Sequence, residues 1–98
     1  MKASEVLSKK RNLIKAVFQK YPEFTNPQIF GSVARGEDDN LSDIDFLTDA
    51  QPNIPLKRID DLFFDLEKVL GDVNFDLAFL MGFKGKELEK VLQDAQPL

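Results

Sequence analysis

The chain has 98 residues, 43% of them hydrophobic, with nine Phe and a formal net charge of −4. That length predicts a single domain over residues 1–98, able to build a core but only modestly stable. There is no Cys and no His, so disulfides, Cys/His zinc sites, Cys nucleophiles and Ser-His triads within the chain are excluded, and any catalysis falls to carboxylates, hydroxyls, Lys/Arg, backbone groups or a hard metal ion.

Residues 4–20 predict an amphipathic helix, with Val6, Leu7, Leu13, Ile14, Val17 and Phe18 on one broad face and Ser4 as its N-cap. Its opening MKASEVLSKKRNLIKAVF lacks the apolar stretch of a secretory signal, and no later segment approaches a membrane span. The expectation is a cytoplasmic protein with no membrane partner. Residues 1–20 hold six Lys/Arg against one Glu, which leaves −9 on the rest. An acidic body argues against broad nucleic-acid binding. The basic helix is read as a solvated face, with contact to phosphate or an acidic partner as the alternative.

Tyr21-Pro22 ends the helix, because proline disfavours a helical residue before it. Pro27-Gln28-Ile29-Phe30 predicts a short strand that stops at Gly31, and residues 32–36 one helical turn. Glu37 to Ser42 is a polar turn region whose three acids are read as solvated. Asp43 to Thr48 predicts a second strand, and Gln51 to Pro55, with two prolines, a loop. Residues 56–70 predict a second helix, with Ile59, Leu62, Phe63, Leu66, Val69 and Leu70 on one face and Gly71 as the C-terminal cap. Val73 to Leu80 alternates as a third strand. Residues 85–95 predict a last helix with Leu88, Val91 and Leu92 inward. Phe30, Phe46, Phe63 and Phe79 are expected in the core. The order α-β-turn-β-α-β-α implies a small sheet with helices against it.

The stretch GSVARGEDDNLSDID, residues 31–45, concentrates the candidate chemistry. Side chains alternate along a strand, so Asp43 and Asp45 share a face, roughly 6–7 Å apart at Cα. Ile44 and Phe46 then face the core. Two such anions repel each other unless a cation intervenes, and Mg²⁺ favours a few carboxylates completed by water and substrate phosphates. Asp76 is a third carboxylate inside an apolar strand, costly there without a partner or a task. If the second and third strands are neighbours, Asp76 joins Asp43 and Asp45, and three carboxylates can hold two metal ions. Gly31 lets a phosphate approach the backbone, while the Ser32 hydroxyl and the amides of a following turn point at an anion. Phosphoryl-type transfer needs mainly this positioning and neutralisation of charge.

Taken singly, these signals are weak. Gly-Ser is a common turn pair, and Asp-x-Asp is more often a solvated strand edge. Asp76 alone reads equally as a surface residue or a partner for a Lys. A calcium loop starting at Asp38 fails, since Asp43 stands where Gly is needed and Asp49 where Glu is needed. Arg35 can bind phosphate or pair with an acid and brace the turn.

Together they are specific. Gly31-Ser32, ten residues, then Asp43-x-Asp45 resembles the signature of the DNA polymerase β-like nucleotidyltransferases, and FGSVARGEDDNLSDIDFL resembles their minimal nucleotidyltransferase (MNT) branch. FDLAFL is similar to the family's third-strand segment, and Glu89 to Leu98 to the branch's C-terminal segment; Phe75 departs from the family's usual Val before the aspartate. The resemblance implies an α/β nucleotidyltransferase fold with a mixed sheet. It implies that Asp43 and Asp45 bind Mg²⁺, that Asp76 completes the site and helps activate the acceptor, and that Gly31 and Ser32 hold the triphosphate. The implied reaction moves AMP from ATP to an acceptor. The chain resembles those MNT proteins that act as antitoxins beside HEPN-domain RNase toxins, known members of which can adenylylate the toxin on a tyrosine. A HEPN toxin is therefore the implied partner. The alternatives are neutralisation by binding alone and transfer to a small molecule. The exposed apolar helix faces are compatible with assembly with a copy of itself or with a partner.

Overall fold

The computed structural model describes residues 2–98; Met1, the first position of the expected domain, lies outside them. Helix α1 spans Ala3–Gln19, strand β1 Phe24–Phe30, a single turn α2 Gly31–Ala34, β2 Ile44–Ala50, α3 Leu56–Leu70, β3 Phe75–Phe79, α4 Gly85–Asp94 and β4 Gln96–Pro97, with a 3₁₀ turn at Leu80–Gly82. The strands form one sheet in the order β3-β2-β1-β4. β1 pairs antiparallel with β2 and with β4, and β2 pairs parallel with β3. The parallel pair requires a crossover, which α3 supplies. The sheet is thus mixed, as expected. Among the described residues, no helix is long and apolar enough to cross a membrane.

The alternation in β2 builds the main core. Ile44 and Phe46 are fully buried and gather with Ile14, Phe18, Leu62, Leu66 and Leu70 from α1 and α3. The Phe18 and Phe46 rings lie 5.8 Å apart. Leu47, of opposite parity, is also buried, outside that cluster, as is Val91 of α4. The sheet's second face is therefore covered as well, by α4 and the 3₁₀ turn, where Phe30 meets Phe83 edge-on at 6.0 Å.

β1 begins at Phe24, earlier than its proline allowed. A bulge between Thr25 and Gln28 absorbs Pro27, which cannot donate to a ladder, and Asn26 takes the left-handed φ of 52° that asparagine tolerates. The buried Thr48 hydroxyl donates to the Thr25 carbonyl at 2.8 Å. The Pro27 carbonyl accepts the Leu98 N–H at 3.2 Å. β4 completes this edge, and its two residues are too few to carry a strand pattern in sequence.

Several local expectations are corrected. Ser4 is not the N-cap of α1: the helix starts one residue earlier, the Glu5 carboxylate accepts the Lys2 N–H, and the Ser4 N–H donates to Asp38 at 3.0 Å. Leu13 and Leu92 are 59% and 50% exposed, because each lies at the rim of its helix's apolar face. Of the four Phe expected in the core, only Phe46 is fully buried. Phe63 is partly exposed against Phe75, Phe79 packs partly buried against the core, and Phe30 lies on the other face. β3 starts at Phe75 rather than Val73.

One polar cluster ties α1, β1 and α3 together. The buried Tyr21 hydroxyl donates to Asp65, and the Arg58 guanidinium sits 4.5 Å from the Tyr21 ring centre. Arg58 also donates twice to Glu23, at 2.9 and 2.8 Å. The hydrogen bond to Asp65, then burial, push the Tyr21 hydroxyl up to about 12. Arg58 holds the Glu23 carboxyl below the usual carboxylate range.

Candidate active site

β1 leaves the sheet at Phe30 in extended backbone and turns at once into α2 through Gly31. Gly31 has φ +75°, a region that side chains resist. A Cβ there would also strike the carboxylate of Asp45, with Asp45 Oδ2 the nearest atom and Cγ at 3.3 Å. The glycine thus has a steric role beyond the phosphate approach read from sequence: it makes room for an aspartate of the neighbouring strand. Ser32 follows at the first turn of α2, and its carbonyl accepts the Glu37 N–H at 2.9 Å.

The ladders set the carboxylates side by side. Phe30 is directly opposite Asp45, and Asp45 is directly opposite Asp76. Neighbouring strands lie about 4.8 Å apart, so Asp45 and Asp76 are adjacent on one face. Asp43 stands just before β2 and Asp76 is exposed on β3. The four ion pairs among the described residues involve Arg35, Lys57 and Arg58 as cations, and none includes Asp43, Asp45 or Asp76. Burial, then the Asp76 and Asp43 charges, push the Asp45 carboxyl above its usual range, with Arg35 opposing. Among the described residues, no group of three or more acidic side chains is placed to hold a metal ion. Like charges without a cation splay apart, and Mg²⁺ commonly takes one or two carboxylates and leaves the rest to water and phosphate.

Arg35 pairs with Asp94 at 2.7 Å and with Glu37 at 3.2 Å. It braces the turn, as one of its two sequence readings held, while its charge still reaches Asp45. Gln96 adds a second tie, its Nε2 donating to the Ala34 carbonyl at 2.8 Å. Sequence reasoning gave Asp94 and Gln96 no role; their only signal was the resemblance of residues 89–98. The polar loop is also more ordered than expected. Asp38 reaches α1, and its bond to Ser4 lowers its carboxyl below the usual range. Asp39 accepts the Leu41 N–H at 2.8 Å, and the Ser42 hydroxyl oxygen accepts the Asp39 N–H at 2.9 Å. The loop therefore delivers Asp43 to β2 on a hydrogen-bonded frame. Beside it lies a cavity of about 170 Å³ bordered by Ser42, Asp43, Asp72 and Asn74.

Comparison with known proteins gives a consistent result. The family model "Polymerase beta, Nucleotidyltransferase" matches residues 12–98. A solved structure of a protein described as a minimal nucleotidyltransferase aligns with TM-score 0.79 at 33% identity, over 94% of this chain and 95% of that one. A toxin–antitoxin crystal structure with AMP-PNP aligns with TM-score 0.68 at 23% identity, over 90% of this chain and 70% of that one. A mutant of the MntA-HpeT toxin–antitoxin pair aligns with TM-score 0.65 at 20% identity, over 89% and 69%. The last two show a shared fold. No curated protein matches the chain.

Proposed function

Since the chain belongs to the polymerase beta nucleotidyltransferase family and has its fold, we propose that it transfers AMP from ATP to a hydroxyl group of a partner protein. The observation that carries this reading is the row of unpaired carboxylates, Asp45 and Asp76 in register with Asp43 at the entry to β2, beside the Gly31 turn. The donor set fits a hard divalent cation: three aspartates without a basic partner, one with its carboxyl raised by burial and by the other two. Asp43, Asp45 and Asp76 would hold two Mg²⁺ ions, which would neutralise the triphosphate and polarise the α-phosphoryl group.

The chain's own residues account for the rest. Ser32 and the first amides of α2 bind the terminal phosphates, where the backbone turns without a side chain at Gly31. Asp76, the most exposed of the three, faces the acceptor. The acceptor oxygen bonds to the α-phosphorus as the bond from that phosphorus to the bridging oxygen breaks. Pyrophosphate leaves, and the hydroxyl proton passes to the Asp76 carboxylate. The fold shared with toxin–antitoxin proteins, one of them crystallised with AMP-PNP, supports ATP as donor and a toxin as acceptor; that this toxin is a HEPN RNase inactivated by adenylylation rests on the resemblance of FGSVARGEDDNLSDIDFL to MNT proteins.

The test is intact mass. The chain is purified with the protein encoded beside it, the expected toxin, and incubated with Mg-ATP. A gain of one or more AMP units on the toxin is expected, and none with the Asp43→Asn/Asp45→Asn double variant. A tight complex with no mass gain would replace this reading with neutralisation by binding.

A further inference from the structure

The row Phe30–Asp45–Asp76 runs across three strands and stops at an open edge, since β3 is the last strand on that side. The direction of β3's backbone groups follows from its register. The Ile44 N–H donates to the Asn74 carbonyl, and Ile44 is directly opposite Phe75. In a parallel ladder this means that Asn74, Asp76 and Ala78 face β2, while the N–H and C=O groups of Phe75, Leu77 and Phe79 point outward. Among the described residues, nothing pairs with them except that the Phe79 carbonyl, at the N-cap of the 3₁₀ turn, accepts that turn's first bond. Natural edges are guarded by Lys, Pro, a bulge or a covering element. The stretch FDLAF has no Lys, no Pro and no bulge, and none of its residues is fully buried.

We propose that this edge is the acceptor subsite: an extended, hydroxyl-bearing segment of the partner protein adds to the sheet beside β3 and presents its hydroxyl to Asp76. The next place in the row lies one strand spacing, about 4.8 Å, beyond Asp76. A residue paired there projects from the same face as Asp45 and Asp76, so its side chain arrives beside the carboxylate that takes its proton. Backbone pairing with Phe75, Leu77 and Phe79 supplies affinity without a sequence code. The hydroxyl in register with Asp76 supplies selection. The inference rests on the transfer reading above for its chemistry, whereas the docking itself is tested without catalysis.

Leu77→Pro deletes an outward N–H and leaves the β2 ladder intact, because that ladder uses Asp76 and Ala78. Leu77 also packs partly against the core, so Leu77→Ala is the control that loses the side chain and keeps the N–H. With the partner toxin as acceptor, Leu77→Pro is expected to raise the acceptor KM at least tenfold over Leu77→Ala, with equal affinity for Mg-ATP. Equal acceptor KM values would overturn the edge subsite and leave the transferase standing. Independently of folding or turnover, the ¹⁵N-labelled wild-type chain is titrated with the peptide Lys-Thr-Val-Tyr-Val-Thr-Lys. Shifts are expected at the Phe75, Leu77 and Phe79 amides, with at least tenfold weaker binding by a peptide N-methylated at alternate amides. Absence of those shifts at millimolar peptide, or indifference to N-methylation, defeats the proposal. Shifts as expected in a chain that adenylylates nothing would retain the docking edge and remove the transferase. Sedimentation covers the remaining occupant: a dimer that Leu77→Pro dissolves without changing transfer would assign the edge to a second copy and end the proposal.

Discussion

Two clusters of charge sit on opposite faces of the same sheet, and they differ in a single respect. Around Tyr21, every charge has a partner in the chain: Tyr21 with Asp65, and Arg58 with Glu23 and the Tyr21 ring. Around Asp45, Asp76 lies alongside in register, Asp43 stands two residues earlier in the chain, and none of the three has an ion-pair partner. Balanced charges hold elements together and ask nothing of the solvent. Unbalanced ones weaken the bare fold and are relieved only by something bound. The contrast marks which cluster braces the molecule and which one waits for a ligand.

The comparison breaks most visibly when the unbalanced cluster is emptied. Asp43→Asn with Asp45→Asn is expected to reduce transfer about 10³-fold or more, the scale of losing a metal ion's several kcal/mol. The melting temperature without metal should stay level or rise, since two repelling charges are gone. A fall of several degrees would show those carboxylates to be structural. Gly31→Ala should come next. Its Cβ displaces the Asp45 carboxylate and forces a non-glycine residue to φ +75°. The expected result is about 1–2 kcal/mol of lost stability and, from a misplacement near 1 Å, roughly 10²-fold lower turnover. Single-turnover kinetics and a denaturant melt read the two effects separately.

On the balanced side the signature is reversed. Tyr21→Phe deletes the donor to Asp65 and should lower stability by about 1 kcal/mol, with turnover unchanged. Any change in turnover at saturating ATP would join the two clusters.

A pH series of melts sharpens the difference. The raised Tyr21 hydroxyl contributes stability that is intact below 10.0 and is lost as pH climbs through about 12. Glu23, held low by Arg58, contributes stability that is present above the ordinary carboxylate range and lost as pH falls through its depressed value. Asp45 runs the other way from Glu23. Its carboxyl is raised, so its contribution is complete below the ordinary carboxylate range and disappears as pH rises through the raised value. Added Mg²⁺ should flatten the Asp45 phase alone. A phase that ignores Mg²⁺ and survives Asp45→Asn would belong to another group.

The least effect is expected from Arg35→Ala, under about 1 kcal/mol by denaturant melt, because its ion pairs are partly exposed.

Much of this was legible in the chain itself. Period-3.6 and period-2 patterns placed α1, α3, β2 and β3 within a few residues, and the condition set for Asp76 to stand beside Asp45, that β2 and β3 be neighbours, is met by their register. What escaped depends on contacts distant in sequence. β4 is two residues long and exists because β1 offers it a ladder. Pro27 fits a strand only because a bulge forms around it. Asp38 looked solvated because its partner, the Ser4 N–H, is 34 residues away. Gly31 showed its conformational freedom in sequence, but not that Asp45 fills the space its side chain would need.

The ties from Asp94 and Gln96 to the Gly31–Ala34 turn have a consequence of their own. They fasten the chain's last residues to the element proposed to hold triphosphate. Linkage between two such positions is reciprocal. Whatever factor a grip on residues 94–98 imposes on nucleotide affinity, bound nucleotide must impose on that grip. A partner seated there would release or retain ATP as it docks, and loading with ATP would in turn set how long the partner stays.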